Sequence, residues 1–452
     1  MALQKDMTTG SPGKIIFEFT LPVFIGNVFQ QFYNMADTVI VGKFVGTGAL
    51  AAVGSTGTIM FLILGFVMGM TAGFTVLTAQ KFGAGDMKAM RQTVASATIL
   101  STLMSVLLTV VSMAFMKPLL RFMKTPEDIF QDAYVYIMII CAGIFAQMLY
   151  NLLSSILRAL GNSKVPLYFL ILAALLNIVL DLVFIIVCKM GTAGAAWATV
   201  TAQGISGVLC LVYIVKKVSV LHLKRDDFRF KSYLIWNQLR VGFPMALQYS
   251  ITAIGTMMVQ TSLNLLGSVQ VAAFTAAGKV EQIANQAYVA MGTTMATYSA
   301  QNIGAGKVKR IHQGFRSVTM MGCVYSAVIG LLIAFFGKYM TYVFVSDNVN
   351  TIMQSVDIYL KCVVMFFVPL MIVNVYRNGI QGMGYGLMPM MAGVAELIGR
   401  GVVAVVAAGR KSYVGVCLAS PAAWVLAGSL LLVMYFYIMK HDMKKFEQTV
   451  SE

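Results

Sequence analysis

Asp37 and Asp181 are the residues of this chain best placed to do chemistry, because each sits inside an apolar run where a charge has little water to hydrate it. A carboxylate near the centre of a membrane helix costs about 2.5–3.5 kcal/mol or more, so its presence points to a task. The chemistry open to it is binding a proton or a small cation. Counted from the start of its run, Asp37 lies about 22 residues in, roughly 33 Å along a helix, and Asp181 about 15 residues in, roughly 22 Å. Both therefore lie past the midplane, in the same half. Asn177 precedes Asp181 by four residues and shares its helix face. If the two acids share a pocket, desolvation and mutual repulsion disfavour having both ionised, and a bound proton or sodium ion relieves the repulsion. Oxygen ligands suit a hard cation without choosing between the two ions. A hydrogen bond to a neighbouring helix is the alternative use of each Asp, although Ser, Thr or Asn would make one with no charge to desolvate.

Other ionisable groups inside apolar runs are few. Glu396 and Arg400 are spaced i, i+4, which suits a self-neutralising structural pair. Lys279 and Glu281 are two apart and point to different faces, so their role stays open. Glu18 and Asp357 sit near run ends, within reach of the interface. His222, His312 and His441 all fall in loops or the tail, so a proton path has to use carboxylates. Gln248, Tyr249, Gln260, Gln282 and Gln286 are polar without charge. They are expected either to line a substrate cavity in the second half of the chain or to bond helix to helix. The 33 methionines suit an adaptable binding surface or serve as apolar filler. No phosphate-cradling loop ends in Lys-Ser/Thr, no Cys/His cluster has metal spacing, and Gly83-Ala84-Gly85 reads as a turn. The expectation is no catalytic residue, no cofactor and no metal, apart from sodium at the carboxylates.

The elements that must position these groups follow from composition. Of 452 residues, 59% are hydrophobic and 11% charged, with a mean hydropathy of +0.80. Soluble domains run at roughly 45–50% apolar and about 25% charged. Too few polar side chains are present to cover a water-soluble protein of this length. Disorder is excluded by the same composition, and a secreted disulfide scaffold by size and six scattered cysteines. The chain reads as an all-α polytopic membrane protein. Twelve spans are predicted, at 15–42, 49–80, 93–116, 133–157, 166–188, 193–215, 241–264, 269–301, 314–337, 353–378, 386–408 and 414–438. Each supplies the about 20 residues a bilayer core requires. The first is too long for a signal-peptide core and has no small-residue cleavage site, so it is expected to stay in the mature protein.

The net charge of +16 needs no nucleic acid. With the N-terminus inside, 22 Lys and Arg fall in inside segments, 8 in outside loops, and Lys279, Lys361 and Arg400 within spans. Such asymmetry marks the cytoplasmic side, and both termini are expected there. The block from Lys216 to Arg240 holds seven basic and two acidic residues. It either contacts anionic lipid or is a solvated linker that fixes topology.

The chain also contains itself twice. Ala79-Gln80-Lys81-Phe82-Gly83-Ala84-Gly85 returns as Ala300-Gln301-Asn302-Ile303-Gly304-Ala305-Gly306, 221 residues on. Gly46, Ala51 and Ala52 match Gly267, Ala272 and Ala273 at the same offset; Pro22 pairs with Pro244 at 222, and Gly161 and Pro166 with Gly384 and Pro389 at 223. Each copy has six spans, so the repeat is parallel, a transporter architecture. The expected organisation is an N-terminal segment 1–14, a first lobe 15–215, a linker 216–240, a second lobe 241–438 and a tail 439–452.

Two stretches carry a family resemblance. Met35-Ala36-Asp37-Thr38-Val39-Ile40-Val41-Gly42 resembles the first-helix motif of the multidrug and toxic compound extrusion (MATE) transporters. Leu176-Asn177-Ile178-Val179-Leu180-Asp181, followed by Gly194-Ala195-Ala196-Trp197-Ala198-Thr199, is similar to that family's fifth and sixth helices, and the repeated Ala-Gln-x-x-Gly-Ala-Gly also fits. The resemblance spans essentially the whole chain. It implies two six-helix lobes in a V around a central cavity, in a monomer of the cell membrane. It also implies that an H+ or Na+ gradient drives export of amphipathic, often cationic, drugs or metabolites. Carried over by position, Asp37, Asn177, Asp181 and Thr199 match the family's first-lobe cation site, and Pro22 matches a proline where the first helix bends. The NorM-type branch has further acids in the seventh and tenth helices. This chain has none within 241–264 and none in the middle of 353–378, so it resembles the DinF-type branch and no second-lobe ion site is carried over. The rival transport reading is a lipid-linked oligosaccharide flippase, which needs a strongly cationic cavity; only Lys279 and Arg400 are basic deep in the predicted spans. A non-transporting membrane enzyme or receptor is the rival outside transport, and the repeat argues against it.

Overall fold

The structure, a computed structural model, describes residues 6–123, 125–229, 231–341 and 349–451. The outermost residues of the expected N-terminal segment and tail, 1–5 and 452, lie outside the described residues. No strand occurs among those described. Helices α1 (Pro12–Phe44), α2 (Thr47–Gly83) and α3 (Met87–Phe122) run unbroken. α4 (Glu127–Ala142) and α5 (Ile144–Ala159) form one rod bent by 47° at Gly143. α6 (Lys164–Asp181) continues into a π-helical turn, Leu182–Val187, and α7 (Gly191–Lys217) completes the first copy. The second copy has α8 (Ser232–Asn264), α9 (Ser268–Gly304) and α10 (Val308–Thr341). Then come α11 (Val349–Val364) with α12 (Phe367–Gly382), bent by 52°, α13 (Leu387–Gly409), and α14 (Tyr413–Cys417) leading into α15 (Ala419–Ser451).

Eight helices among the described residues are long and apolar enough to cross a membrane, and each bent pair qualifies as one more span. α8 and α9 have the length, at 33 and 37 residues, but are too polar to qualify on composition. Twelve membrane-length rods result, the number predicted. The surface agrees: Leu103, Val106, Leu107 and Val110 on α3, and Val324, Val328, Leu331 and Phe335 on α10, form exposed apolar faces. Continuous outward stripes of this kind suit lipid rather than water.

The repeat is visible in the helix bounds. α2 and α9 start and end 221 residues apart; α5 and α12 do so at 223, and α6 and α13 begin 223 apart. The turn glycines match as well. Gly85 and Gly306 take φ of 74° and 71°, a conformation that a Cβ makes costly.

Two compact units are present among the described residues: Ile25–Tyr249 with Asp6, and Met7–Phe24 with the residues from Ser250 onward. This division differs from the lobes expected at 15–215 and 241–438. α1 changes unit just after Pro22, and α8 shortly after Pro244, although both helices continue through their prolines. Proline removes the N–H that would bond the carbonyl four residues back, which loosens a helix at that point. The leading half of each copy's first helix thus packs in the unit built by the other copy.

Within the first unit, α2 meets the start of α8 backbone to backbone. A Cβ on Gly73 would lie 2.3 Å from Gly242 Cα, and one on Gly69 2.6 Å from Ala246 Cα. α8 begins at Ser232 rather than 241, and the chain before it is anchored rather than free. Asp227 accepts hydrogen bonds from Arg91 Nε at 3.3 Å and Lys224 N at 2.9 Å, while Lys231 Nζ donates to Gln92 Oε1 at 2.7 Å. The second unit holds its leading segment in the same way. Met7 N donates to Gln301 Oε1 at 3.0 Å, Asn302 Nδ2 to Met7 O at 3.2 Å, and Arg310 Nη1 to Gly10 O at 2.9 Å.

Candidate cation site

All four residues of the expected site lie in the first unit. α1 brings Asp37, α6 brings Asn177 and Asp181, and α7 brings Thr199. Asp181 closes α6 where the backbone widens into the π turn, a local irregularity that recurs at functional sites. It is fully buried, Asn177 and Thr199 are buried, and Asp37 is partly exposed. The carboxyl groups of Asp37 and Asp181 lie close enough to act on each other directly, so two full negative charges there repel. The Asn177 amide bridges Asp181 to Thr199 in the orientation that satisfies both its ends. Its nitrogen donates to Asp181 Oδ2 at 3.2 Å, and its oxygen accepts from Thr199 Oγ1 at 3.3 Å and Thr199 N at 3.2 Å.

One oxygen of each carboxyl, Asp37 Oδ1 and Asp181 Oδ1, is buried with no hydrogen-bond partner among the described residues. Orphaned buried acceptors are costly unless something is meant to fill them. The donor set is oxygen throughout, which fits a proton or a hard monovalent cation. No cluster of three or more His, Cys, Asp or Glu side chains with metal-binding geometry occurs among the described residues.

Several residues that the sequence reading passed over complete the pocket. Tyr33 lies beside Gln203 and within electrostatic range of both acids, as does the buried Tyr136 of α4. Tyr33 is one helical turn before Asp37, and Gln203 one turn after Thr199. That i, i+4 spacing was the available signal. Tyr136 had none, because only the folded bundle brings α4 to α1.

The residues proposed for a substrate cavity divide between the units. Gln248 and Tyr249 belong to the first, not to the second half as expected, because the start of α8 packs there; Tyr249 lies against Phe61 and Gly65. Gln260, Gln282 and Gln286 belong to the second. Gln260 Nε2 donates to Asn264 Oδ1 at 2.8 Å and Gln286 Nε2 to Gln282 O at 3.2 Å, both within one helix. Glu396 and Arg400 do pair, at 2.6 Å, but not as a self-contained couple. Arg377, counted by sequence at the cytoplasmic end of its span, is buried and meets the other carboxylate oxygen at 2.6 Å. Glu281 accepts from the Tyr359 hydroxyl, and Lys279 is exposed.

Comparison with known proteins returns one family. The MatE family model matches residues 22–183 and 241–407. The chain is 34% identical over 377 residues to the "Probable multidrug resistance protein YpnP" of Bacillus subtilis, covering 83% of each protein. It is 24% identical over 389 residues to the "Probable multidrug resistance protein NorM" of Thermotoga maritima, covering 84% of this chain and 82% of that one. Among solved structures, an outward-facing multidrug resistance MATE family transporter of the MOP superfamily superposes with a TM-score of 0.89 at 22% identity, covering 98% of both chains.

Proposed function

The chain belongs to the MatE family, as a multi-pass membrane transporter and not an enzyme, and from that premise we propose that it is a cation-coupled antiporter exporting amphipathic, often cationic, small molecules. The observation that carries the coupling is the placing of two carboxyls, Asp37 and Asp181, beside each other, each with a buried oxygen that has no hydrogen-bond partner among the described residues. In a dry pocket the two acids cannot comfortably hold two negative charges, so the pocket takes up a proton or a sodium ion. When that cation leaves, repulsion acts between α1, which carries Tyr33 and Asp37, and α6, which carries Asp181. α1 is the element free to respond, because it is loosened at Pro22 and changes unit there.

Cation occupancy and drug affinity are then two readings of one conformational equilibrium, and each shifts the other by the same factor. Both termini are cytoplasmic in this reading, following the charge asymmetry of the loops. Reconstituted protein should move a fluorescent organic cation when an ion gradient is imposed. Translocation of a lipid-linked sugar with no movement of the dye would replace the exporter by the flippase.

A further inference from the structure

The second unit contains a buried polar cluster around the repeat counterparts of residues that border the first unit's carboxyls, although the acids themselves, Asp37 and Asp181, fall on Val259 and Ala404. The 223-residue offset that relates α5 to α12 and α6 to α13 carries Tyr136 onto Tyr359 and Asn177 onto Arg400. The 222-residue offset that pairs Pro22 with Pro244 carries Tyr33 onto Gly255. In the first unit those positions border two carboxyls. In the second they also border two, Glu281 of α9 and Glu396 of α13, which stand at the repeat positions of Met60 and Ala173 rather than of the first unit's acids. Tyr359 donates its hydroxyl to Glu281, and Arg400 donates from Nη2 to Glu396 Oε1 at 2.6 Å. Arg400 also lies within electrostatic range of Glu281, and is 5% exposed.

Two exchanges distinguish this copy from the other. The tyrosine of α1 becomes a glycine on α8, where a Cβ would lie 2.9 Å from Arg400 Nη1. The asparagine amide of α6 becomes a guanidinium on α13. The bulk lost from one helix is matched by a long cation gained on its neighbour. Arg377 holds the second oxygen of Glu396, so two guanidiniums face two carboxyls. Without Arg400 one carboxyl has no cation.

We propose that Arg400 is a tethered cation: standing where the repeat places Asn177, its guanidinium fills a pocket whose carboxyls come from α9 and α13 in place of Asp37 and Asp181, and closes that pocket to ions from solution. The inference rests on reading the first-unit pocket as a cation site. It assigns to the second unit a latent site whose ligand class is the small planar monovalent cation, with guanidinium as its natural shape. Arg and carboxylate match in a planar, two-pronged geometry that an ammonium does not reproduce.

The test is chemical rescue. Purified full-length Arg400→Ala is melted in detergent with and without millimolar methylguanidinium, against tetramethylammonium at equal ionic strength. The expected result is a lowered melting temperature in the variant, raised saturably by methylguanidinium and not by tetramethylammonium. Wild type should show no such rise, and Arg400→Ala/Glu281→Gln should lose it. An unmoved Arg400→Ala, or the same rise in wild type, overturns the proposal. If Arg400→Ala cannot be purified, Glu281→Gln should restore its expression by removing the uncompensated charge, and failure to do so also overturns it. Asp37→Asn measured in parallel keeps the two ideas apart: normal gradient-driven export in that variant removes the first-unit reading and leaves the rescue result standing.

Discussion

Asn177 shows how the proposed cation site is held at the scale of single residues. Its amide joins Asp181 to Thr199, so Asn177→Leu should leave the acids in place without the bond that orients them. A hydrogen bond to a charged group is worth about 1.5–3 kcal/mol. The expected outcome is at least about a tenfold rise in the ion concentration giving half-maximal export, with the maximal rate largely kept; an unchanged ion dependence would remove Asn177 from the site. Glu18→Gln should have little effect on export, because Glu18 is a partly exposed partner of Lys14. The second unit revises an expectation from spacing. Since Glu396 is held by both Arg377 and Arg400, changing Glu396 and Arg400 together to apolar residues leaves Arg377 buried and alone. That double variant should be destabilised by about 3–5 kcal/mol, and removing Arg377 as well should recover part of that stability, Glu281 being left without Arg400. Thermal melts of the double and triple variants decide the matter. Asp37, Asn177 and Asp181 were legible because a polar group in an apolar run is conspicuous. Tyr136 and Arg377 were not: a tyrosine suits any membrane helix, and an arginine at a span end looks like an interfacial charge until its carboxylate partner is seen.

At the scale of elements, helix number and repeat were legible because apolar length and matched glycines are local properties. The exchange of half-helices was not, since hydropathy does not say which bundle a span joins at each end. Its physical basis is contact. Gly69 and Gly73 let α2 receive the start of α8 at backbone distance. Gly73→Val should separate the two helices and sharply lower expression and melting temperature, since overpacking costs typically about 1–3 kcal/mol and backbone gives way less readily than side chains. The segment leading into α1 makes a second test. Met7 is fully buried, and its backbone is held by Gln301, Asn302 and Arg310. Gln301→Ala together with Asn302→Ala and Arg310→Ala removes the acceptor of the Met7 amide and both donors to its carbonyl, and should abolish amide-exchange protection at Met7 while leaving α9 protected; retained protection would mean that apolar burial alone holds the segment.

For the molecule as a whole, twelve membrane-length rods among the described residues carry one largely buried carboxyl pair, in the first unit. The composition alone required lipid around it, and the 221-residue repeat required two similar halves. Neither required that the two units differ in their buried polar groups. That difference rests on a few side chains: a carboxyl pair with unfilled oxygens in one unit, and arginines among carboxyls in the other. The topology has its own check: a cysteine at position 226 should be labelled from the cytoplasmic side. The most direct test of the central claim is transport of a fluorescent organic cation in proteoliposomes with proton and sodium gradients imposed separately, for wild type and Asp37→Asn. The account predicts uphill movement in wild type with at least one of the two gradients, and none with either in Asp37→Asn although that protein folds and still binds the dye. Full gradient-driven transport by Asp37→Asn would contradict it.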